Sequence, residues 1–241
     1  KKTVHQANFV IKQMLDAMAP SNFIFTNPEV LKETIESGGQ NLIKGLENLK
    51  NDVGQNKIKT TDIDAFKLGE NIATTKGKIV YQNELMQLIY FTPTKEKNYQ
   101  IPLLIIPPWI KKYYILDLKP QNSLILWLLN QGYNVFVISW VNPDKELQAK
   151  NFEDYLREGP LEALDIIIKI TGSKYINAMG YCLGGTLLAC FLSYLKTKND
   201  ERVKSATFLT TLIDFHDAGD LSLFIEDKNI EALEKKIQET G

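Results

Sequence analysis

The chain has 241 residues, 44% of them hydrophobic, and a formal charge of −1. That is room for one large domain, or for one domain plus a smaller element. Near-neutral charge without a strongly basic stretch leaves no electrostatic case for nucleic acid. No apolar run reaches the roughly eighteen residues of a membrane-spanning helix, and no signal-peptide core opens the chain. Cys182 and Cys190 are too far apart along one predicted helix for a disulfide. That fits a reducing cytoplasm. No metal-ligand spacing is present. Residue 1 is lysine, so the chain is expected to be a piece of something longer.

Residues 3–18 carry Val4, Phe9, Val10, Met14, Leu15 and Met18 at helical spacing. Pro20-Ser21-Asn22 breaks that helix. Asn27-Pro28 starts the next, with asparagine as N-cap and proline in the first turn. Its apolar positions are Val30, Leu31 and Ile35, then Leu42, Ile43, Leu46 and Leu49, with Gly38-Gly39 as an interruption. Asn51 to Thr61 is polar and reads as a loop.

Residues 66–91 change period. Lys78–Tyr81 and Leu85–Phe91 read as strands joined by Gln82-Asn83-Glu84 in a hairpin. The domain boundary is drawn here, with residues 1–95 a mainly helical accessory region and residues 96–241 an α/β domain. Ile101–Ile106 is a continuous apolar run, a strand buried on both faces, stopped by Pro107-Pro108-Trp109-Ile110. Lys119–Gln131 reads as a helix with Pro120 near its start and Gly132 as its cap. Tyr133–Ser139 is a second buried strand, and Asp154–Thr171 a long helix with Gly172 beyond it. Tyr175–Met179 is a short strand followed by a helix to about Tyr194. Val203–Ile213 is a fourth strand, and Glu226–Thr240 an amphipathic helix. Alternating strands and helices imply a mostly parallel sheet.

The stretch Gly180-Tyr181-Cys182-Leu183-Gly184-Gly185 lies between that short strand and its helix. Strand, G-x-C-x-G, helix is the layout of a nucleophile elbow, with cysteine in place of the commoner serine. A strained turn leaves no room for Cβ atoms two residues either side, and Gly180 and Gly184 remove them; Gly185 completes the structural elbow. The thiol then stands over a helix N-terminus, whose dipole favours the reactive thiolate. The Leu183 N–H points at a developing oxyanion. The competing reading is a buried, inert cysteine between glycines.

An elbow cysteine needs a base, normally histidine, and a carboxylate to orient it. The chain has two histidines. His5 reads as an exposed residue of the leading helix. His216 follows Asp214 after the fourth strand, where parallel strands bring their carboxyl ends to one edge. It is either near Cys182 at that edge or simply a loop histidine. The second oxyanion donor normally comes from the loop after an earlier strand. Prolines lack an N–H, so Trp109 or Ile110 must donate; otherwise Pro107-Pro108 only ends the strand. Asp117 near the same edge reads as a cap for the next helix or a support for the loop.

These residues resemble a family, the class I polyhydroxyalkanoate synthases, bacterial poly(3-hydroxybutyrate) polymerases. The stretches that carry the resemblance are Asn27-Pro28 through Gly38-Gly39-Gln40-Asn41-Leu42, and Asn71-Ile72-Ala73-Thr74-Thr75 with Asn83-Glu84-Leu85. To these add Pro107-Pro108-Trp109-Ile110 with Lys112-Tyr113-Tyr114-Ile115-Leu116-Asp117-Leu118, then Val137-Ile138-Ser139-Trp140 with Asn142-Pro143, and the elbow itself. Two positions depart from the pattern. Lys111 stands where the family usually has asparagine, and His216 where it has a small polar residue.

The resemblance implies a partial α/β-hydrolase fold behind a helical N-terminal region. It implies an acyltransferase in which Cys182 takes an acyl group from a 3-hydroxyacyl-CoA, 3-hydroxybutyryl-CoA above all, releasing CoA into solution while a polyester grows. No cofactor and no metal are expected beyond the CoA thioester substrate. Expected partners are the growing polyester and its granule surface, with a homodimer in the full-length enzyme and a cytoplasmic or granule-associated location. The family's catalytic aspartate and histidine lie downstream of Gly241, so neither is transferred to Asp214 or His216, and the chain alone is expected to be inactive. The alternatives are a thioesterase or depolymerase of the same fold, or a non-catalytic interaction module.

Overall fold

The computed structural model describes residues 2–62, 64–225 and 227–240. The chain divides into two compact units, Lys1–Ala65 with Ala218–Leu233, and Phe66–Asp217 with Glu234–Gly241.

The first unit is helical. It holds α1 (Lys2–Ala17), α2 (Pro28–Glu36) and α3 (Gln40–Gln55). Asn27 caps α2 as its sequence suggests, its side-chain oxygen accepting from the backbone N–H groups of Glu29 at 2.9 Å and Val30 at 3.2 Å. Gly38 and Gly39 both take positive φ, 60° and 86°, which separates α2 from α3 at a place where a Cβ would be strained. α3 runs through Gln55, so residues 51–55 are not the loop the polar composition suggested. Val53 continues the spacing of Leu46 and Leu49. The His5 ring lies 3.0 Å from Asp220 Oδ1, and Phe9 meets Phe224 edge to face at 5.7 Å. Neither α2 nor α3 buries a residue.

The second unit is built on a six-stranded sheet among the described residues. Its strands are β1 (Lys78–Gln82), β2 (Met86–Phe91), β3 (Leu103–Ile106), β6 (Val135–Trp140), β7 (Ile176–Tyr181) and β8 (Val203–Leu209); β4 (Asp117–Lys119) and β5 (Asn122–Ser123) form a separate pair. The order is β1-β2-β6-β3-β7-β8. β1 and β2 form the expected hairpin, β2 runs antiparallel to β6, and β6, β3, β7 and β8 are parallel.

This pairing corrects the boundary at residue 95. The hairpin of residues 78–91 belongs to the central sheet through the β2–β6 ladder, and the chain divides near residue 65 instead. All four residues of β3 are buried. Leu104 and Ile106 face one core with Phe136, Ile138, Leu164, Ile167, Leu188 and Phe191. Leu103 and Ile105 face the other with Val135, Val137, Ile125, Leu128 and Leu129. A strand covered on both faces reads as an unbroken apolar run, hence the correct reading from sequence.

α4 is Leu124–Asn130, shorter than the predicted Lys119–Gln131, and starts at Ser123, whose hydroxyl accepts from the Leu126 N–H at 2.9 Å. The residues before it form β4 and β5 because the Asp117 carboxylate takes the Ser123 hydroxyl at 2.6 Å and the Thr75 hydroxyl at 2.6 Å. The predicted long helix is α5 (Phe152–Leu156), a π-turn at Arg157–Leu161 containing Pro160, and α6 (Glu162–Thr171), closed by Gly172 at φ 66°. The elbow helix, α7 (Leu183–Thr197), runs past Tyr194. β8 ends at Leu209 rather than Ile213, because Thr210 turns left-handed at φ 45°. α8 spans Asp227–Thr240; Glu226, the expected start, lies outside the described residues.

Ahead of β8, Arg202 binds both carboxylate oxygens of Asp200 and reaches Asp165 on α6 at 2.6 Å. The hydrogen bonds from Arg202 hold the Asp200 carboxyl below its usual range. A carboxyl depressed in the folded state contributes stability that is present above its unfolded pKa of about 4 and fades as pH falls through the folded value. Asp200→Asn is therefore expected to lower the urea midpoint at pH 7, with the gap closing as pH drops below about 4. A gap that stayed constant down the whole series would assign the effect to packing.

Candidate active site

β7 delivers the chain to Cys182, which takes φ 54° and ψ −125° and caps α7. A positive φ at a residue with a side chain is strained, and it persists only where the surroundings enforce it. Here they do. The Cys182 N–H donates to Leu209 O at 3.0 Å, and its carbonyl accepts from the N–H groups of Gly185 at 2.9 Å and Thr186 at 3.3 Å. Cys182 is half-buried and Cys190 is exposed.

Each elbow glycine faces a different neighbour. A Cβ on Gly180 would overlap the Gly185 Cα and lie 2.8 Å from its nitrogen. On Gly184 it would overlap the Ile106 carbonyl and stand 2.8 Å from the carbonyl carbon of Pro107. On Gly185 it would overlap the Thr211 hydroxyl and stand 2.9 Å from Thr211 Cβ. The turn is thus gripped by its own helix, by the end of β3 and by the segment after β8. That segment is tied down further. Thr211 Oγ1 donates to Leu209 O at 3.1 Å, and Thr186 Oγ1 donates to Leu212 O at 2.8 Å.

The β3 loop lies directly against Gly184. Its Pro107 carbonyl accepts a buried hydrogen bond of 2.8 Å from Trp140 Nε1. The Trp109 ring packs against Trp140, Phe152 and Tyr155 at centroid distances of 5.8, 6.0 and 5.4 Å. Its own Nε1 is buried without a partner. Beside it is a shallow cleft of about 320 Å³ lined by Trp109, Lys150, Asn151, Phe152 and Tyr155. Ile110 is exposed.

Leu183 is the first residue of α7, so its N–H has no intrahelical acceptor. Asp117 is fully buried and its carboxylate is taken up by the Thr75 N–H and hydroxyl and by Ser123. It holds the loop and the cap residue of α4. It also pushes up the pKa of the Tyr113 phenol, an effect second to burial. His216 is exposed, and its backbone N–H donates to Asp214 Oδ1 at 2.9 Å. Among the described residues no hydrogen bond joins the His216 ring to Cys182. No cluster of three His, Cys, Asp or Glu side chains suited to a metal occurs among the described residues, and no described helix is long and apolar enough to cross a membrane. Sequence reading missed Trp140, Thr186 and Thr211, which meet Pro107, Leu212 and Gly185, each distant in the chain. The only signal was Trp140's place in the Ser139-Trp140 motif.

Numbered along the chain, the sheet strands lie in the order first, second, fourth, third, fifth, sixth, and the fifth ends in a strained cysteine at a helix start. That is part of an α/β-hydrolase fold with a cysteine at its nucleophile elbow. The chain belongs to the poly-beta-hydroxybutyrate polymerase (PhaC) N-terminus family, whose model matches residues 1–128. It is 49% identical, over 99% of its length, to the poly(3-hydroxyalkanoate) polymerase of Methylorubrum extorquens. Over 97% of its length it is 40% identical to the poly(3-hydroxyalkanoate) polymerase subunit PhaC of Cupriavidus necator. The chain spans about 40% of the length of each of these relatives. Among solved structures it is similar to an esterase of Rhizomucor miehei at 14% identity and TM-score 0.43, covering 70% of this chain and 51% of that one.

The glycine geometry has a direct test. Gly184→Ala forces a methyl group into backbone that cannot swing away, and is expected to destabilise by about 3 kcal/mol. Gly45→Ala, inside α3 with nothing within 4 Å of the new methyl, is expected to stabilise by about 0.5–1 kcal/mol. Urea unfolding of the two variants against the parent checks both signs.

Proposed function

We propose that the polypeptide carrying this chain polymerises 3-hydroxyacyl-CoA, with 3-hydroxybutyryl-CoA as the first substrate to try, through a covalent acyl-cysteine. The observation that carries this reading is Cys182 at positive φ on the elbow, in a chain of this family. The Cys182 thiolate attacks the thioester carbonyl carbon. Negative charge develops on the carbonyl oxygen, where the Leu183 N–H and an N–H from Trp109 or Ile110 receive it. The carbon–sulfur bond to CoA breaks, and CoA leaves as a thiol once protonated. The hydroxyl of the next monomer or of the growing chain then attacks the acyl-cysteine, forms an ester and returns the thiol.

A cysteine nucleophile suits this cycle. The first step exchanges one thioester for another of similar energy, so the acyl-enzyme keeps its reactivity for the hydroxyl that follows. A base is still needed to deprotonate thiol and hydroxyl. We assign it, with its orienting carboxylate, to the part of the longer relatives that this chain does not span, and not to His216. A general base contributes roughly 10²–10⁴ in rate, so the 241 residues alone should turn over slowly or not at all. The acyl-CoA thioester is the substrate and free CoA a product, so the proposed cycle needs no separate cofactor. Homodimer formation, a cytoplasmic location and contact with the polyester granule belong to the same proposal.

The test uses labelled 3-hydroxybutyryl-CoA and the full-length gene product. Label is expected in insoluble polymer; label in free 3-hydroxybutyrate would make the protein a thioesterase instead. Cys182→Ala is expected to abolish the acyl-enzyme, and Cys190→Ala to leave it intact. Equal labelling of the two variants would remove Cys182 from the mechanism. Turnover by the 241 residues alone that vanished in His216→Ala would show that the chain carries its own base.

A further inference from the structure

We infer that Trp140 is a positioning residue for acyl transfer, its indole N–H fixing the direction in which the Pro107–Ile110 loop presents a backbone N–H to the acyl group on Cys182. The inference rests on the acyl-transfer reading above and adds a residue to it.

The argument starts from two prolines. Pro107 and Pro108 follow β3 with no N–H of their own, so this backbone cannot donate to hold itself in place. What the loop keeps is its carbonyls. The Pro107 carbonyl accepts from Trp140 Nε1 at 2.8 Å, at a site where both groups are buried. That carbonyl lies in the Pro107–Pro108 peptide plane. The φ of Pro108 is fixed by its ring. Only the ψ of Pro108 then remains between the held carbonyl and the Trp109 N–H. A hydrogen bond two residues away therefore sets the heading of a candidate oxyanion donor. On its other side, the same stretch touches the elbow, where Gly184 leaves no space for a Cβ beside Ile106 and Pro107.

The indole has its own seat. Trp140 ends β6, next to β3 in the sheet, so the sheet brings its side chain beside the loop. The π-turn at Arg157–Leu161 places Gly159 against the outer rim of the ring. A Cβ there would stand 2.6 Å from Trp140 Cη2 and 3.1 Å from Cζ3. Extra residues of this kind inside helices often sit at functional sites. Tyr155 and Trp109 pack on the same indole at 5.6 and 5.8 Å, so the far end of the loop is fastened to the ring that holds its near end. This gives the π-turn a purpose that helix propensity does not.

The experiment separates acyl chemistry from simple thiol reactivity, using the full-length gene product. The burst of p-nitrophenolate from p-nitrophenyl butyrate reports acylation of Cys182, which needs an oxyanion site. Iodoacetamide alkylation of the same thiol, followed at the Cys182 peptide by mass spectrometry, displaces iodide and needs no such site. Trp140→Phe keeps a ring in the seat and removes the donor. It is expected to slow the burst at least tenfold, within the roughly hundredfold or more lost when an oxyanion donor is deleted outright, with the alkylation rate changed less than twofold. Trp127→Phe, on the exposed face of α4, is expected to change neither. If Trp140→Phe melts markedly lower than the parent, benzothienylalanine placed at position 140 gives the same shape without the N–H, and its burst decides. A burst within twofold of the parent, or burst and alkylation falling together, would overturn the inference; so would the lack of any burst in the parent. A parent that shows the burst but releases no CoA from 3-hydroxybutyryl-CoA would overturn the polymerase reading alone, leaving Trp140 to be judged on the burst.

Discussion

Gly184 comes so close to the end of β3 that no side-chain atom fits between them. Three parts of the molecule meet at that contact. The β3 loop is held against the elbow, the elbow is held at its positive φ, and α7 starts there with the Leu183 N–H free of an intrahelical acceptor. A methyl group at this one position would separate them. The strain at Cys182 is sustained by this contact together with the bond from the Cys182 N–H to Leu209 O on β8, so both neighbours of β7 in the sheet hold Cys182 in place.

Support comes from three directions, and each uses a different force. Toward β3 it is steric, a close approach of backbone to backbone. Toward β8 it is polar, through Thr186 and Thr211. Toward α5 it is aromatic, through Trp109, Trp140, Phe152 and Tyr155. Rigid first contacts backed by packed neighbours are what a site needs in order to hold reacting groups to a fraction of an ångström. The buried Asp117 works further away, joining the segment around Thr75 to the start of α4. It is part of the frame on which the loop rests.

What the sequence made legible was local. The elbow could be read because its steric demands fall on glycines two and three residues from the cysteine. β3 could be read because burial on both faces leaves an unbroken apolar run. The hairpin was recognised, but its membership of the central sheet was not, since its partner β6 lies some forty residues on and the ladder leaves no mark on the hairpin's own sequence. α4 started late because the bonds from Ser123 and Thr75 to the Asp117 carboxylate are tertiary events. Trp140 stood in a recognised motif, yet its role depends on a proline thirty-three residues earlier in the chain. His216 was a candidate because parallel strands share an edge, and an edge position alone does not say where the ring points.

α7 carries both thiols of the chain, one half-buried at its start and one exposed two turns on. Reagents that count thiols will therefore find Cys190 first, and total labelling overstates what has reached Cys182. In air the exposed sulfur can also couple two copies of the chain through a disulfide. A dimer seen without reductant would then record the chemistry of Cys190 on storage and would say nothing about how the polypeptides associate in the cell.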